Sequence, residues 1–268
     1  MWFFIIAFSL IVCYFIWRQA KKYQRQGLIN KPLPAQWQQI LNKNVLLYKK
    51  LPGDLKKALC GHIQVFLSEK KFYGCAGLEI SDEIRVTIAA FACMLLLNRD
   101  TNYYPGFKSI FVYPSTYIAT IKTWDGVVES VQQNVRLGES WQRGPIVLAW
   151  DSVRQGALDI KDGHNVVLHE FAHKLDEADG SMDGTPLLSQ RSHYVSWARV
   201  MQKEYDKLQR RVNKGRQSVM DKYGATEPAE FFAVLTETFF EKPKQLQRKH
   251  PRLYEEVKQF FQVDPASW

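Results

Sequence analysis

The sequence predicts an α+β domain, a small mixed sheet packed by helices, behind an amino-terminal transmembrane helix. Three observations carry this prediction. Apolar residues recur at helical spacing on both sides of a central stretch, residues 109 to 150, where the pattern becomes that of strands. Helices, then a short run of strands, then helices again is the order of an α+β fold. The first seventeen residues, MWFFIIAFSLIVCYFIW, carry no charge at all.

Taken in order, Met1 to Trp17 is at the short end of what spans a bilayer. Its positive charges (Arg18, Lys21, Lys22, Arg25) follow the apolar run, and no small-residue cleavage site appears, so it reads as an anchor and not as a secretory signal. The positive-inside tendency keeps this basic flank and the domain behind it in the cytoplasm, as a single-pass protein of the inner membrane. The basic cluster can also pair with anionic headgroups. Residues 18–36 end in Lys31-Pro32-Leu33-Pro34 and read as a connector, and residues 37–268 form one globular domain. Helices are expected over 53–70 and 82–97. The second opens on Ser81-Asp82-Glu83, a capping residue followed by first-turn acids, and its stripe Ile84, Ile88, Phe91, Ala92 and Leu95 faces the core.

Strands are expected at 109–113, 127–131 and 145–150. The last opens on a proline, which a sheet tolerates best at its edge. Residues 144–150 are therefore a candidate edge for an added peptide strand, with an ordinary core strand as the alternative. Helical spacing then returns over 163–177, 190–213, 228–241 and 251–262.

At 268 residues and 46% hydrophobic, the chain can bury one substantial core. Its four cysteines lack C-x-x-C spacing, which argues against a disulfide framework and favours a reducing compartment. The net charge of +9 is spread along the chain with no recognisable nucleic-acid module, so direct nucleic-acid binding is not expected.

The chemistry concentrates in His169-Glu170-Phe171-Ala172-His173. Two histidines four apart on a helix lie on one face, where both can hold one Zn²⁺. Glu170 then stands beside the metal as a proton acceptor for water. Catalytic zinc wants a third protein ligand and an open position. Three carboxylates are candidates, in the order Glu230, Glu237, Asp179. Glu230 and Glu237 share one face of the 228–241 helix, and Pro228 in the first turn puts Glu230 near the positive end of the helix dipole. Glu237 reads better as a support for a ligating imidazole through its other nitrogen. Asp179 lies six residues after His173, but Asp176 occupies the position where such a ligand requires a turn-forming glycine. His164 reads as a helix-start residue, and His62, His193 and His250 as structural or surface groups.

Six ordered blocks carry a resemblance: Gly74-Cys75-Ala76-Gly77-Leu78, Leu137-Gly138-Glu139-Ser140-Trp141, Gly144-Pro145-Ile146-Val147-Leu148, Asn165 through Asp176, Asp183-Gly184-Thr185-Pro186, and Pro228 through Val234. Together they resemble the Mlc titration factor A family of zinc peptidases, within the gluzincin group. The resemblance implies a zincin-like fold, His169, His173 and Glu230 as zinc ligands, Glu170 as catalytic base and Tyr223 as an active-site tyrosine. It further implies weak hydrolysis of small peptide substrates and an Mlc-type transcriptional repressor as a possible partner. The apolar amino terminus departs from the family pattern, which is that of a soluble cytoplasmic enzyme.

Overall fold

The computed structural model describes residues 2–99, 101–115, 117–124, 129–136, 138–140 and 144–268. The chain begins with helix α1 (Trp2–Ile29), followed by α2 (Ala35–Asn44), α3 (Leu46–Lys50) and α4 (Gly53–Glu69). Strand β1 (Lys71–Gly74) and helix α5 (Asp82–Met94) lead to β2 (Ser109–Tyr113), the hairpin β3 (Tyr117–Trp124) and β4 (Glu129–Arg136), then β5 (Gly138–Ser140) and β6 (Ile146–Ala149). The second half is helical: α6 (Trp150–Leu158), α7 (Val166–Asp176), α8 (His193–Asn213), α9 (Pro228–Glu241), α10 (Pro243–Lys249) and α11 (Pro251–Phe261).

α1 is one unbroken helix, so the connector expected over 18–36 is helical as far as Ile29, and Pro32 and Pro34 follow its end. Its carboxyl-terminal half is fastened to the domain. The Arg25 guanidinium forks onto Glu69 (2.7 and 2.9 Å) and reaches Asn102 Oδ1 at 2.9 Å. A side chain at Gly61 on α4 would meet Ile29 at 3.0–3.2 Å, so the missing Cβ lets the two helices touch. The large apolar side chains described between Trp2 and Trp17 are exposed, and Phe4–Ile29 is long and apolar enough to cross a membrane.

Four strands form a mixed sheet in the order β1-β2-β6-β5. β1, β2 and β6 are parallel, with Phe72 beside Ile110 and Ile110 beside Ile146, while β5 runs antiparallel to β6. The 144–150 segment is thus not the sheet edge: β6 has neighbours on both sides, and β5 lies outside it. Pro145 precedes the first ladder residue, Ile146, so its missing N–H costs the strand nothing. Of the strand expected at 127–131, residues 129–131 belong to β4, and residues 127 and 128 lie outside the described ones.

α5 is the central helix. Ser81 Oγ accepts the Ile84 N–H at 3.3 Å as its amino-terminal cap, and every residue from Ile84 to Met94 except Arg85 is buried. α7 packs against α5, α6, α9, β5 and β6. Its core side is led by Phe171, whose ring lies 4.9–5.8 Å from those of Phe66, Tyr104 and Phe107. Burying a side chain of that size stabilises by about 1.5–3 kcal/mol. Two residues along a helix is roughly 200° of rotation, so anchoring Phe171 in the core turns His169 to the opposite side. A second aromatic group, Trp197, Phe232 and Phe260, joins α8, α9 and α11.

Candidate metal centre

The α7 amino terminus is set by Asn165, whose Oδ1 accepts the Leu168 N–H at 3.1 Å. That register puts His169 and His173 one above the other, with Nε2 to Nε2 at 3.2 Å. α9 packs across α7 and begins at Pro228, so Glu230 lies in its first turn. Glu230 Oε2 stands 3.0 Å from His169 Nε2, and Oε1 3.5 Å from His173 Nε2. The three side chains converge as a group able to hold a metal ion.

The spacing fits zinc. Ligand atoms about 2.0–2.1 Å from a tetrahedral Zn²⁺ stand about 3.3–3.4 Å apart, against the 3.0, 3.2 and 3.5 Å found here. A second sign is that Glu230 Oε2 is buried and makes no hydrogen bond despite its closeness to the imidazole. Its alignment suits a shared cation better than a shared proton.

Glu237, two turns along α9, completes the arrangement. Its Oε1 lies 2.8 Å from His169 Nδ1, and its Oε2 accepts the Asn165 backbone N–H at 2.5 Å. A proton held on Nδ1 by this carboxylate would leave Nε2 as the nitrogen that can take a metal ion, on the side of Glu230 and His173. Asn165 also donates through Nδ2 to Gly156 O and to Glu241 Oε1, each at 3.2 Å. One asparagine therefore caps α7, meets the carboxylate that faces His169, and ties in α6. Asn165 stands in the expected family block without being singled out as functional, although a lone asparagine just before an apolar helical run is a recognisable cap signature. The second histidine has no such support: His173 Nδ1 is buried without a partner.

Glu170 is only 5% exposed. Burial raises its pKa, His169 and His173 oppose the rise, and Glu230 and Glu237 add to it. Burial would also raise Glu230, but the two imidazoles overcome it and hold its pKa at about 2. His169 is the converse: burial would lower it, and Glu230 and Glu237 push it well above the usual histidine range. Tyr223 stands at the rim, 52% exposed, its ring 6.0 Å from that of His169. Burial, then Glu230 and Glu170, push its pKa up to about 12, so its hydroxyl remains a donor. Asp221 Oδ1 accepts the Tyr223 N–H at 2.8 Å and fixes this turn.

The loop after α7 locks the two helices together. Buried Asp176 accepts the Gly184 N–H at 2.8 Å, and Gly184 (φ +81°) passes so close to α9 that a Cβ there would lie 2.5 Å from Pro228 O. Asp179, the last of the three candidate ligands, is exposed, accepts the Ser181 N–H at 3.0 Å and lies outside the cluster. His164 pairs with Asp221 at 3.7 Å, His62 with Tyr103 at 2.7 Å and His250 with Glu204 at 2.6 Å, all away from the centre.

Comparison with known proteins places the chain in a family. The chain is 41% identical over 251 residues to an uncharacterized protein of Synechocystis sp., covering 93% of this chain and 89% of that one. It is 33% identical over 246 residues to the Mlc titration factor A of Yersinia pestis and to that of Yersinia pseudotuberculosis, with 89% of each chain covered. Residues 17–262 match the family described as glucose-regulated metallo-peptidase M90, a match that takes in α7 and α9, and the chain belongs to that metallopeptidase family.

Proposed function

We propose that this chain is a membrane-tethered zinc peptidase of the gluzincin type, with a zincin-like domain facing the cytoplasm. One observation carries the reading: two histidines of α7 and a carboxylate of α9 converge within 3.5 Å while a second carboxylate holds the far nitrogen of one imidazole. His169, His173 and Glu230 would hold Zn²⁺, which when bound polarises both a water molecule and the scissile carbonyl.

The remaining chemistry belongs to the protein. Glu170, its pKa raised by burial, accepts the proton of the attacking water and returns it to the leaving amine. The Tyr223 hydroxyl donates a hydrogen bond to the oxyanion as it develops. Glu237 keeps His169 in the tautomer that ligates. The exposed apolar half of α1, with Arg18, Lys21 and Lys22 behind it, favours a single-pass anchor in the inner membrane.

A second reading has one observation in its favour, the name of the Yersinia relatives, Mlc titration factor A. In it the domain sequesters an Mlc-type repressor and hydrolysis is secondary. Metal content and peptide-library cleavage, measured on membrane and soluble fractions of the parent and of Glu170→Gln, separate the two. The peptidase reading expects activity in the membrane fraction, lost in Glu170→Gln with metal retained. A Glu170→Gln protein that keeps every cellular effect of the parent would establish the sequestration reading instead.

A further inference from the structure

Among the described residues, most cations held against the core have an evident partner. Arg25 forks onto Glu69, the Lys70 ammonium donates to Tyr104 O and Phe107 O (2.6 and 2.7 Å), and Lys174 donates to Glu177 at 2.8 Å. Arg99 differs. Its guanidinium carbon lies 4.0 Å from the centre of the Phe260 ring and 6.0 Å from that of Phe261. Its Nη1 is buried without a hydrogen-bond partner, and among the described residues no carboxylate forms an ion pair with it. Cation–π contact offsets only part of the cost of an unpaired buried charge.

The same guanidinium lines a cavity of about 510 Å³ between the segment after α5, the end of α7, and α8 and α11. That volume is in the range of small-molecule sites. Leu175, Leu188, Trp197 and Phe260 give it apolar walls, and Gln259 and His193, joined at 3.1 Å, stand on its polar side. Glu256 also lines it, but accepts from Ser196 Oγ at 3.4 Å and makes no ion pair with Arg99.

We propose that this cavity binds an amphipathic monocarboxylate, its carboxylate on the Arg99 fork and its apolar body against Trp197 and Phe260. The guanidinium fork, not the overall charge, selects the ligand: among the described lining residues Arg99 is the cation without a carboxylate partner, since Lys174 faces Glu177. Arginine is also suited to planar, bidentate recognition of carboxylate. The site is separate from the group formed by His169, His173 and Glu230, so it holds whatever the outcome for catalysis.

The test is isothermal titration of the full chain in detergent with sodium phenylacetate, its uncharged isostere phenylacetamide, and phenyl phosphate. One phenylacetate per chain is expected, with phenylacetamide weaker by about 10- to 100-fold. Arg99→Gln should lose phenylacetate binding by a similar factor while metal content and circular dichroism match the parent. Should Arg99→Gln not fold, Arg99→Lys, which keeps the charge and loses the fork, should still bind measurably more weakly than the parent. The proposal is overturned by equal binding of acid and amide, by parent-like binding in a folded Arg99→Gln, by no phenylacetate binding up to millimolar concentration, or by phenyl phosphate binding more tightly than phenylacetate.

Discussion

Replacing Glu237 with glutamine tests how the centre is built, because the change preserves shape and should still be harmful. Both groups facing the Glu237 carboxylate are donors: the His169 imidazole at 2.8 Å from Oε1 and the Asn165 backbone N–H at 2.5 Å from Oε2. A carboxylate accepts from both, whereas a glutamine amide has one acceptor and one donor end. If its oxygen faces His169, its NH₂ opposes the Asn165 N–H and strands a buried donor, at about 1–3 kcal/mol. If it flips, its NH₂ faces Nδ1, the imidazole proton moves to Nε2, and the lone pair directed at Glu230 and His173 is lost. Loss of such a support typically weakens metal binding about 10- to 100-fold, or about 1.4–2.7 kcal/mol. The assay is zinc affinity by competition with a coloured chelator, alongside urea unfolding of the metal-free protein. A Glu237→Gln protein with parent affinity and parent stability would refute the idea that Glu237 steers His169.

Two further predictions concern the scaffold. Gly184→Ala would require φ +81° of an L-residue and put its Cβ 2.5 Å from Pro228 O, at the root of the helix that carries Glu230. It should cost about 1–3 kcal/mol in urea unfolding and weaken metal binding as well; retained affinity would mean that the loop does not position α9. Glu241 is buried, which with Asp162 and Glu237 raises its pKa from 4.5 to about 9 despite the Asn165 hydrogen bond. The folded state therefore holds a proton that the unfolded chain releases between those two values. The stability from the neutral carboxyl is complete below the lower value and falls as pH rises toward the upper one, by at most about 1.4 kcal/mol per unit. Glu241→Gln should flatten that decline in unfolding experiments between neutral and alkaline pH, and an unchanged slope would contradict the assignment.

Long periodic elements were legible in the sequence. The stripe from Ile84 to Leu95, the apolar run around Phe171, the helix over 228–241 and, to within a residue, the helix expected over 251–262 stand where helical spacing put them. Short elements were not: α3, α10, β1 and β5 are too brief to show a period, and β1 finds its pairing partner only in β2, far along the chain. α6 follows β6 without a break, so its start was hidden in the apolar run 146–150. The strand at 144–150 passed for an edge because a proline opens it, yet strand order is decided by pairing partners, here β2 and β5.

The sequence by itself determined that His169 and His173 share a face, since four residues make about one helical turn whatever surrounds them. It also determined that Glu230 and Glu237 lie along one side of a single helix. Which of Glu230, Glu237 and Asp179 faces the imidazoles was decided only by the packing of α9 across α7, held by Gly184 and by the Asn165–Glu237 contact. Spacing along one helix is a local, covalent property. The meeting of two helices depends on core shape, and that exists only once the chain has folded.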